Sequence, residues 1–300
     1  MEDAGGIVDL CPAADGGEGT ADVLLDALGG ERRDAEAHDP IGRPIEASYA
    51  LVRDETEAVV EVAAASGLSL LAEAERDPRR ASSAGTGELI AAAAAGGAKR
   101  ILVAAGGSAT TDGGRGAIDA IEAAGGLGGA KLEVLCDTSI PFERAAEVFA
   151  PQKGASDEQV GDLTARLVAE AGALPRDPRG RAMTGAAGGL SGGLWAALGA
   201  HLVPGAAFVL GVVGFDRRLE RAGVVITGEG RLDAQSREGK LTGEIARRCR
   251  AATVPCHAIA GEIALDPEDE AWFGFASLAS ATSPESIAGA AGRLAAAASG

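Results

Sequence analysis

Several common signatures are missing from this 300-residue chain. No GxxxxGK followed by Ser or Thr occurs, which argues against a P-loop nucleotidase, and GxGxxG is absent too, removing the simplest dinucleotide-binding reading. Positive charge is scarce: 27 Lys and Arg stand against 44 Asp and Glu, a formal net charge of -17. Nucleic acid and anionic membranes both reward clustered cations, so neither is expected as a partner. An anionic small substrate would need local positive charge inside this acidic field. No apolar run is long enough to cross a bilayer, because Gly, Arg or Glu breaks each alanine-rich stretch, and no signal-peptide pattern is present. The four cysteines, Cys11, Cys136, Cys249 and Cys256, form no CxxC pair and lie in or beside apolar runs. They read as buried thiols, and the chain as a reduced, cytoplasmic protein. Three scattered histidines, His38, His201 and His257, make no metal set.

Glycine is plentiful, with 45 residues, and it gathers in four blocks that also carry ordered polar residues. These are ADGGEGT (14–20), GGSATTDGGRG (106–116), TGAAGGLSGG (184–193) and TGEGRLDAQ (227–235). Such backbone can approach an oxyanion closely while neighbouring carboxylates hold a cation, which is the chemistry of a phosphate site. Short β-branched runs predict strands at 7–11, 46–52, 58–62, 101–104, 132–136, 224–227, 257–259 and 275–278. Helical patterns fall at 19–28, 87–95, 112–123, 158–171, 189–198, 238–250 and 284–298, most closed by Gly or Pro. The repeated β-then-α order predicts a layered α/β fold with mainly parallel sheets, whose ligands sit beyond the carboxyl ends of the strands.

Read in order, the blocks resemble one family. ADGGEGT, DPIGRP (39–44), EVAAASGL (61–68), ERDPRRASSAGTGELI (75–90), GGSATTDGG, Cys136-Asp137, PQKGA (151–155), GAAGGLSGG and TGEGRLDAQSREGK (227–240) look like the successive motifs of the bacterial type I glycerate kinases. The matches run collinearly from Leu10 to Gly261. The resemblance implies two α/β domains, one inserted in the other: an outer domain over 1–57 and 213–300, and an inserted domain over 58–212. It also implies transfer of the γ-phosphoryl group of ATP to D-glycerate with Mg²⁺, typically giving 2-phosphoglycerate. The chain departs from the pattern in places. Family members usually begin with a strand and an APDSFKGS-like motif upstream of ADGGEGT, whereas Met1 lies only a few residues before Ile7. Ile140 stands where the family has Asn, and Glu238 where it often has His. A non-catalytic relative that binds a sugar acid or nucleotide is therefore the alternative, and a phosphosugar isomerase or lyase a third.

The residues of the blocks suit that chemistry, since phosphoryl transfer needs in-line positioning and charge stabilisation more than covalent participation. Asp15 and Glu18, with Gly16 and Gly17, form a turn opening a helix. Its N–H groups can face an anion while a carboxylate holds Mg²⁺ or accepts the substrate hydroxyl proton, although Asp15 could also merely cap the turn. Gly106, Gly107 and Ser108 can wrap a phosphate or carboxylate, with Ser108 or Thr110 bonding it. Asp112 starts the next helix, where it also suits an N-cap. Arg231, flanked by Glu229 and Asp233 after a strand, could clamp a carboxylate or neutralise the transferring phosphate, or simply pair with its neighbours at the surface. Lys153 and Lys240 are further phosphate candidates. Ser66 and Thr86 line the pocket by the resemblance, though turn and cap duties explain both.

Overall fold

The computed structural model describes residues 7–237 and 239–298. Along the chain run α1 (Thr20–Leu28), β1 (Gly30–His38), β2 (Pro44–Val52), β3 (Glu57–Glu61), α2 (Val62–Ser66), α3 (Ala84–Ala95), β4 (Arg100–Ala104), α4 (Arg115–Ala123) and β5 (Lys131–Cys136). Then come α5 (Ala145–Phe149), α6 (Asp157–Ala173), α7 (Leu190–Leu198), β6 (His201–Pro204), α8 (Gly205–Val212), α9 (Phe215–Leu219), β7 (Val225–Asp233), α10 (Leu241–Ala251), β8 (Cys256–Ala264), α11 (Pro267–Phe273), β9 (Ser277–Ser280) and α12 (Pro284–Ala298). Among the described residues no helix is long and apolar enough to cross a membrane.

Two compact units result. The larger is the continuous stretch Ala14–Val209, and the smaller joins the segment ending at Ala13 to the one starting at Leu210. The second boundary lies close to the 212/213 division expected from the sequence. The first does not coincide with 57/58, and the sheet explains why. β1 to β6 lie side by side in chain order, with β2 hydrogen-bonded to β3 and β3 to β4, so a cut at 57/58 would split one sheet.

In the larger unit, β1–β2 and β2–β3 are antiparallel while β3 to β6 are parallel. The parallel strands read as near-continuous apolar runs because both faces are covered: Ala58, Val59, Val60, Ile101, Leu102, Val103, Val134 and Leu135 are all buried. The smaller unit has a parallel sheet in the order β7-β8-β9. One face packs Leu232, Ala258 and Ala260 against Ala246 of α10 and Phe273 of α11. The other packs Ile226 and Ile259 against Ala290, Ala291 and Leu294 of α12.

Several elements differ from the sequence expectation. Residues 7–11 form no strand, and Ile7 and Leu10 are exposed. β1 carries GERRDAEAH, which has no apolar alternation, and it forms through nine paired positions with β2. It is an edge strand, where such charge discourages pairing with a second chain. The sequence pattern does not predict β6, α2, α5, α8, α9 or α11, and β7 and β8 run further than their apolar cores. α10 begins at Leu241 rather than at Glu238, a position outside the described residues. The DPIGRP motif is the β1–β2 hairpin turn: buried Asp39 accepts from the Ile41 and Arg43 amides at 3.0 and 2.9 Å and pairs with the Arg43 guanidinium. Burial raises its pKa, but these hydrogen bonds outweigh that and leave the carboxyl below its usual range.

The third glycine block is packing rather than a ligand loop. The Phe142 ring is fully buried, and Cβ atoms on Gly113, Gly189 and Gly192 would stand 2.9, 2.8 and 2.5 Å from it. A Cβ on Gly188 would meet the Thr110 carbonyl at 2.0 Å, and one on Gly193 the Gly113 carbonyl at 2.1 Å. The block thus clamps the back of the 106–116 loop. Phe142→Ala should destabilise the larger unit by about 3–5 kcal/mol, measured as a lower urea midpoint; an unchanged midpoint would show that the ring is dispensable.

Candidate functional site

Parallel strands β3, β4, β5 and β6 finish side by side at Glu61, Ala104, Cys136 and Pro204. ADGGEGT is seated on these ends by contacts that exclude side chains. A Cβ on Gly106 would fall 2.5 Å from the Gly17 Cα, and one on Gly205 2.1 Å from the Asp15 carbonyl. Gly16, at φ +95°, lies equally close to the Leu135 carbonyl and the Gly205 Cα. Glu61 fixes the turn from below, accepting the Ala21 amide at 2.9 Å. That carboxylate occupies an orphan donor at the start of α1, so this helix N-terminus is partly spent within the protein.

The loop after β4 supplies the donors instead. It is pinned on one side by Leu68 N–H to the Gly107 carbonyl and Ala109 N–H to the Ser66 carbonyl, both 2.9 Å. The amides of Gly106, Gly107 and Ser108 donate to no acceptor among the described residues. Gly107 sits at φ +71°, a conformation that glycine adopts without strain and that lets successive N–H groups converge on an anion. Asp15 and Glu18 flank this loop. Asp15 Oδ1 accepts the Gly17 amide at 3.2 Å, and Glu18, exposed, places Oε2 3.8 Å from the Cβ position of Gly107.

Lys153 is the cation beneath the loop. It ends the turn Pro151–Lys153, is 3% exposed, and donates from Nζ to Ser108 Oγ at 2.9 Å and to the Thr110 carbonyl at 2.6 Å. Burial pushes its pKa down to about 7, opposed by the carboxylates of Asp112 and Asp137. The ammonium polarises Ser108, which keeps a sliver of surface; Thr110 lies wholly buried with its hydroxyl unpartnered. Between the two hydroxyls the sequence left open, Ser108 is the one at the rim.

Asp112 is a structural hub. Its Oδ2 accepts from Ser83 N, Ser83 Oγ and Gly116 N, and its Oδ1 from Gly114 N. α4 accordingly starts at Arg115, not at Asp112. Ser66 and Thr86 are fully buried, and Ser66 Oγ accepts the Thr86 hydroxyl at 2.7 Å and the Thr86 amide at 3.3 Å, joining the end of α2 to the first turn of α3.

The structure gathers Asp15, Gly16, Gly17, Glu18, Gly106, Gly107, Ser108, Thr110, Asp112 and Lys153 in the larger unit. Glu229, Arg231, Asp233 and Lys240 belong to the smaller one. There β7 continues through the TGEGRLD segment, so Arg231 rides on a strand and not on a loop beyond one. Its guanidinium is 57% exposed and pairs with Asp233 at 3.1 Å and Glu262 at 3.0 Å. Glu229 accepts from the Thr242 hydroxyl, and Lys240 is the N-cap residue of α10. Sequence reasoning passed over Glu61 and Gly205. The Pro204-Gly205 step was a readable turn signal, but nothing local marks Glu61, whose partner lies forty residues away.

Among the described residues no group of three or more His, Cys, Asp and Glu side chains is gathered for a metal. Two carboxylates beside an anion nest do fit Mg²⁺, which takes one or two carboxylates and completes its shell with water and phosphate.

Fold and site define a two-unit α/β protein with a glycine-rich loop, its amides unpaired among the described residues, at the carboxyl ends of a parallel sheet. The chain belongs to the glycerate kinase family: the family model matches residues 3–126 and 121–298. It is similar to the glycerate kinase of Halalkalibacterium halodurans, 37% identical over 85% of this chain and 76% of that protein. It is also similar to the glycerate 2-kinase of Escherichia coli, 36% identical with the same coverage. A crystal structure assigned as glycerate kinase 2 from Salmonella typhimurium LT2 superposes with TM-score 0.73 at 33% identity, covering 96% of this chain and 87% of that one.

Because the Gly17–Gly106 apposition leaves no room for a methyl group, Gly106→Ala should destabilise the protein by roughly 1–3 kcal/mol and lower its thermal midpoint. A midpoint equal to the parent's would mean that the turn can lift without cost.

Proposed function

We propose that the chain phosphorylates D-glycerate, with ATP as phosphoryl donor and Mg²⁺ bound, to give phosphoglycerate, most simply 2-phosphoglycerate. Family membership supports this reading, and the observation that carries it is the trio of unspent amides at Gly106 to Ser108 anchored by buried Lys153. A short hydroxy acid presents one carboxylate, and the nest supplies convergent donors for it. The cationic Lys153 supplies local positive charge inside a strongly acidic chain.

In the reaction, the hydroxyl oxygen of glycerate forms a bond to the γ-phosphorus. The bond from that phosphorus to the bridging oxygen breaks, and ADP leaves with the electron pair. Asp15, whose Oδ2 is not used by the Gly17 amide, accepts the hydroxyl proton. Glu18, together with Asp15, would hold Mg²⁺, whose role is to neutralise charge on the phosphates. The Lys153 ammonium strengthens Ser108 as a donor to substrate oxygen. In the smaller unit, Arg231 and Lys240 are cations of the kind that phosphate oxygens attract. The exposed pairs of Arg231 with Asp233 and Glu262 contribute little on their own and exchange readily for a phosphate oxyanion. Asp233, paired with Arg231, orients that guanidinium.

A coupled assay should detect ADP only when ATP, Mg²⁺ and D-glycerate are all present. Asp15→Asn should lower kcat at least about 100-fold. Saturable binding of glycerate or nucleotide with no ADP from a folded sample would instead establish a non-catalytic binding protein.

Lys153 predicts the pH profile. Its pKa in the free protein lies near 7, so the cationic form is lost as pH rises through that value. The ratio kcat/KM for glycerate, which reports groups of the free enzyme, should therefore fall on the alkaline side. Lys153→Met should lower the plateau and remove that limb, while a limb that persists unchanged would assign it to another group.

A further inference from the structure

The smaller unit carries a cleft of about 600 Å³, within the range of small-molecule sites, that the mechanism above does not use. We infer that it receives the nucleobase and ribose of the phosphoryl donor. This rests on the nucleotide-donor reading of the preceding section.

The cleft lies over the first half of β7 and the middle of β8, just past the end of β9, on the sheet face covered by α12. β9 stops at Ser280, opposite Ala260, whereas β8 continues to Ala264, so the last residues of β8 have no strand partner on that edge. The floor is bare peptide from Gly228, Gly230 and Gly261. Side chains at Gly228 and Gly261 would strike neighbouring backbone, at 2.3 Å from the Ile259 carbonyl and 2.7 Å from the Gly230 carbonyl. The floor is thus flat by necessity. Ile226 and Ile259 bound it from the sheet, Ile287 and Ala291 from α12, and Thr282 stands at its edge.

Among the described residues no Lys, Arg or His lines the cleft, and the one ionisable residue there, Glu229, bonds through its carboxylate to Thr242 of α10. An oxyanion would find no counter-charge here, which excludes glycerate and the phosphates as occupants. A flat floor between isoleucines suits a planar heteroaromatic ring. The Thr282 hydroxyl can meet the polar edge of such a ring, as a few polar groups orient ligands in otherwise apolar sites.

The test uses the whole chain and adenosine, which carries no phosphate. Calorimetry should show saturable adenosine binding, and two variants should weaken it. Ile287→Asp alters an exposed position on α12, and Gly230→Leu adds a side chain where nothing lies within 4 Å, so both should keep the parent thermal midpoint. Each should raise the KM for ATP about 10-fold or more, the scale of losing one apolar contact in a specificity pocket, with the KM for glycerate unchanged. If adenosine fails to bind, or if both folded variants retain the parent KM for ATP, the assignment of the cleft is overturned while the proposed reaction stands. If adenosine binds and both variants abolish binding in a chain that makes no phosphoglycerate, the cleft assignment holds and the proposed reaction falls.

Discussion

The site depends on two strips of backbone touching where no side chain fits. Gly17 and Gly106 meet across the ends of β3 and β4, and Gly16 meets Gly205 across the ends of β5 and β6. That apposition sets the carboxylates of Asp15 and Glu18 against the amides of Gly106, Gly107 and Ser108. Any β-carbon between them would widen the gap by an atom's diameter and separate acid from donor. Glu61 then ties the turn to the end of β3 through the Ala21 amide, so the first helix and the sheet hold the loop from two directions.

A second constraint is electrostatic. A chain of net charge -17 can attract an anion only where it concentrates opposite charge. It does so with an ammonium removed from water, whose hydrogen bonds go to Ser108 and Thr110 on the loop itself. Burial disfavours the charged form of Lys153, and the nearby carboxylates of Asp112 and Asp137 favour it. The balance leaves the amine able to exist in either state near neutrality.

Much of this was readable beforehand, and the failures have identifiable causes. β3, β4 and β5 announced themselves because burial on both faces demands unbroken apolar runs. β1 did not, since an edge strand's charged side chains tell nothing of the backbone pairing that defines it. TGAAGGLSGG looked like a ligand loop because close packing and phosphate approach both call for glycine, and only the position of Phe142 separates the two. Asp15 and Ser108 were legible as candidates because each lies in an ordered block. Glu61 was invisible, as its role depends on a partner on another element. The TGEGRLDAQ segment misled for a related reason: glycine and charge suggested a loop, while pairing with β8 keeps it extended through Arg231.

The Phe142 ring, seated in the hollow left by Gly113, Gly189 and Gly192, ties together residues nearly eighty positions apart. Enlarging any one of the three glycines crowds the ring, and shrinking the ring leaves a void that two distant backbone segments would have to close. Descendants of this sequence can therefore drift more easily at the exposed charged positions of β1, but must inherit this quartet as a single unit.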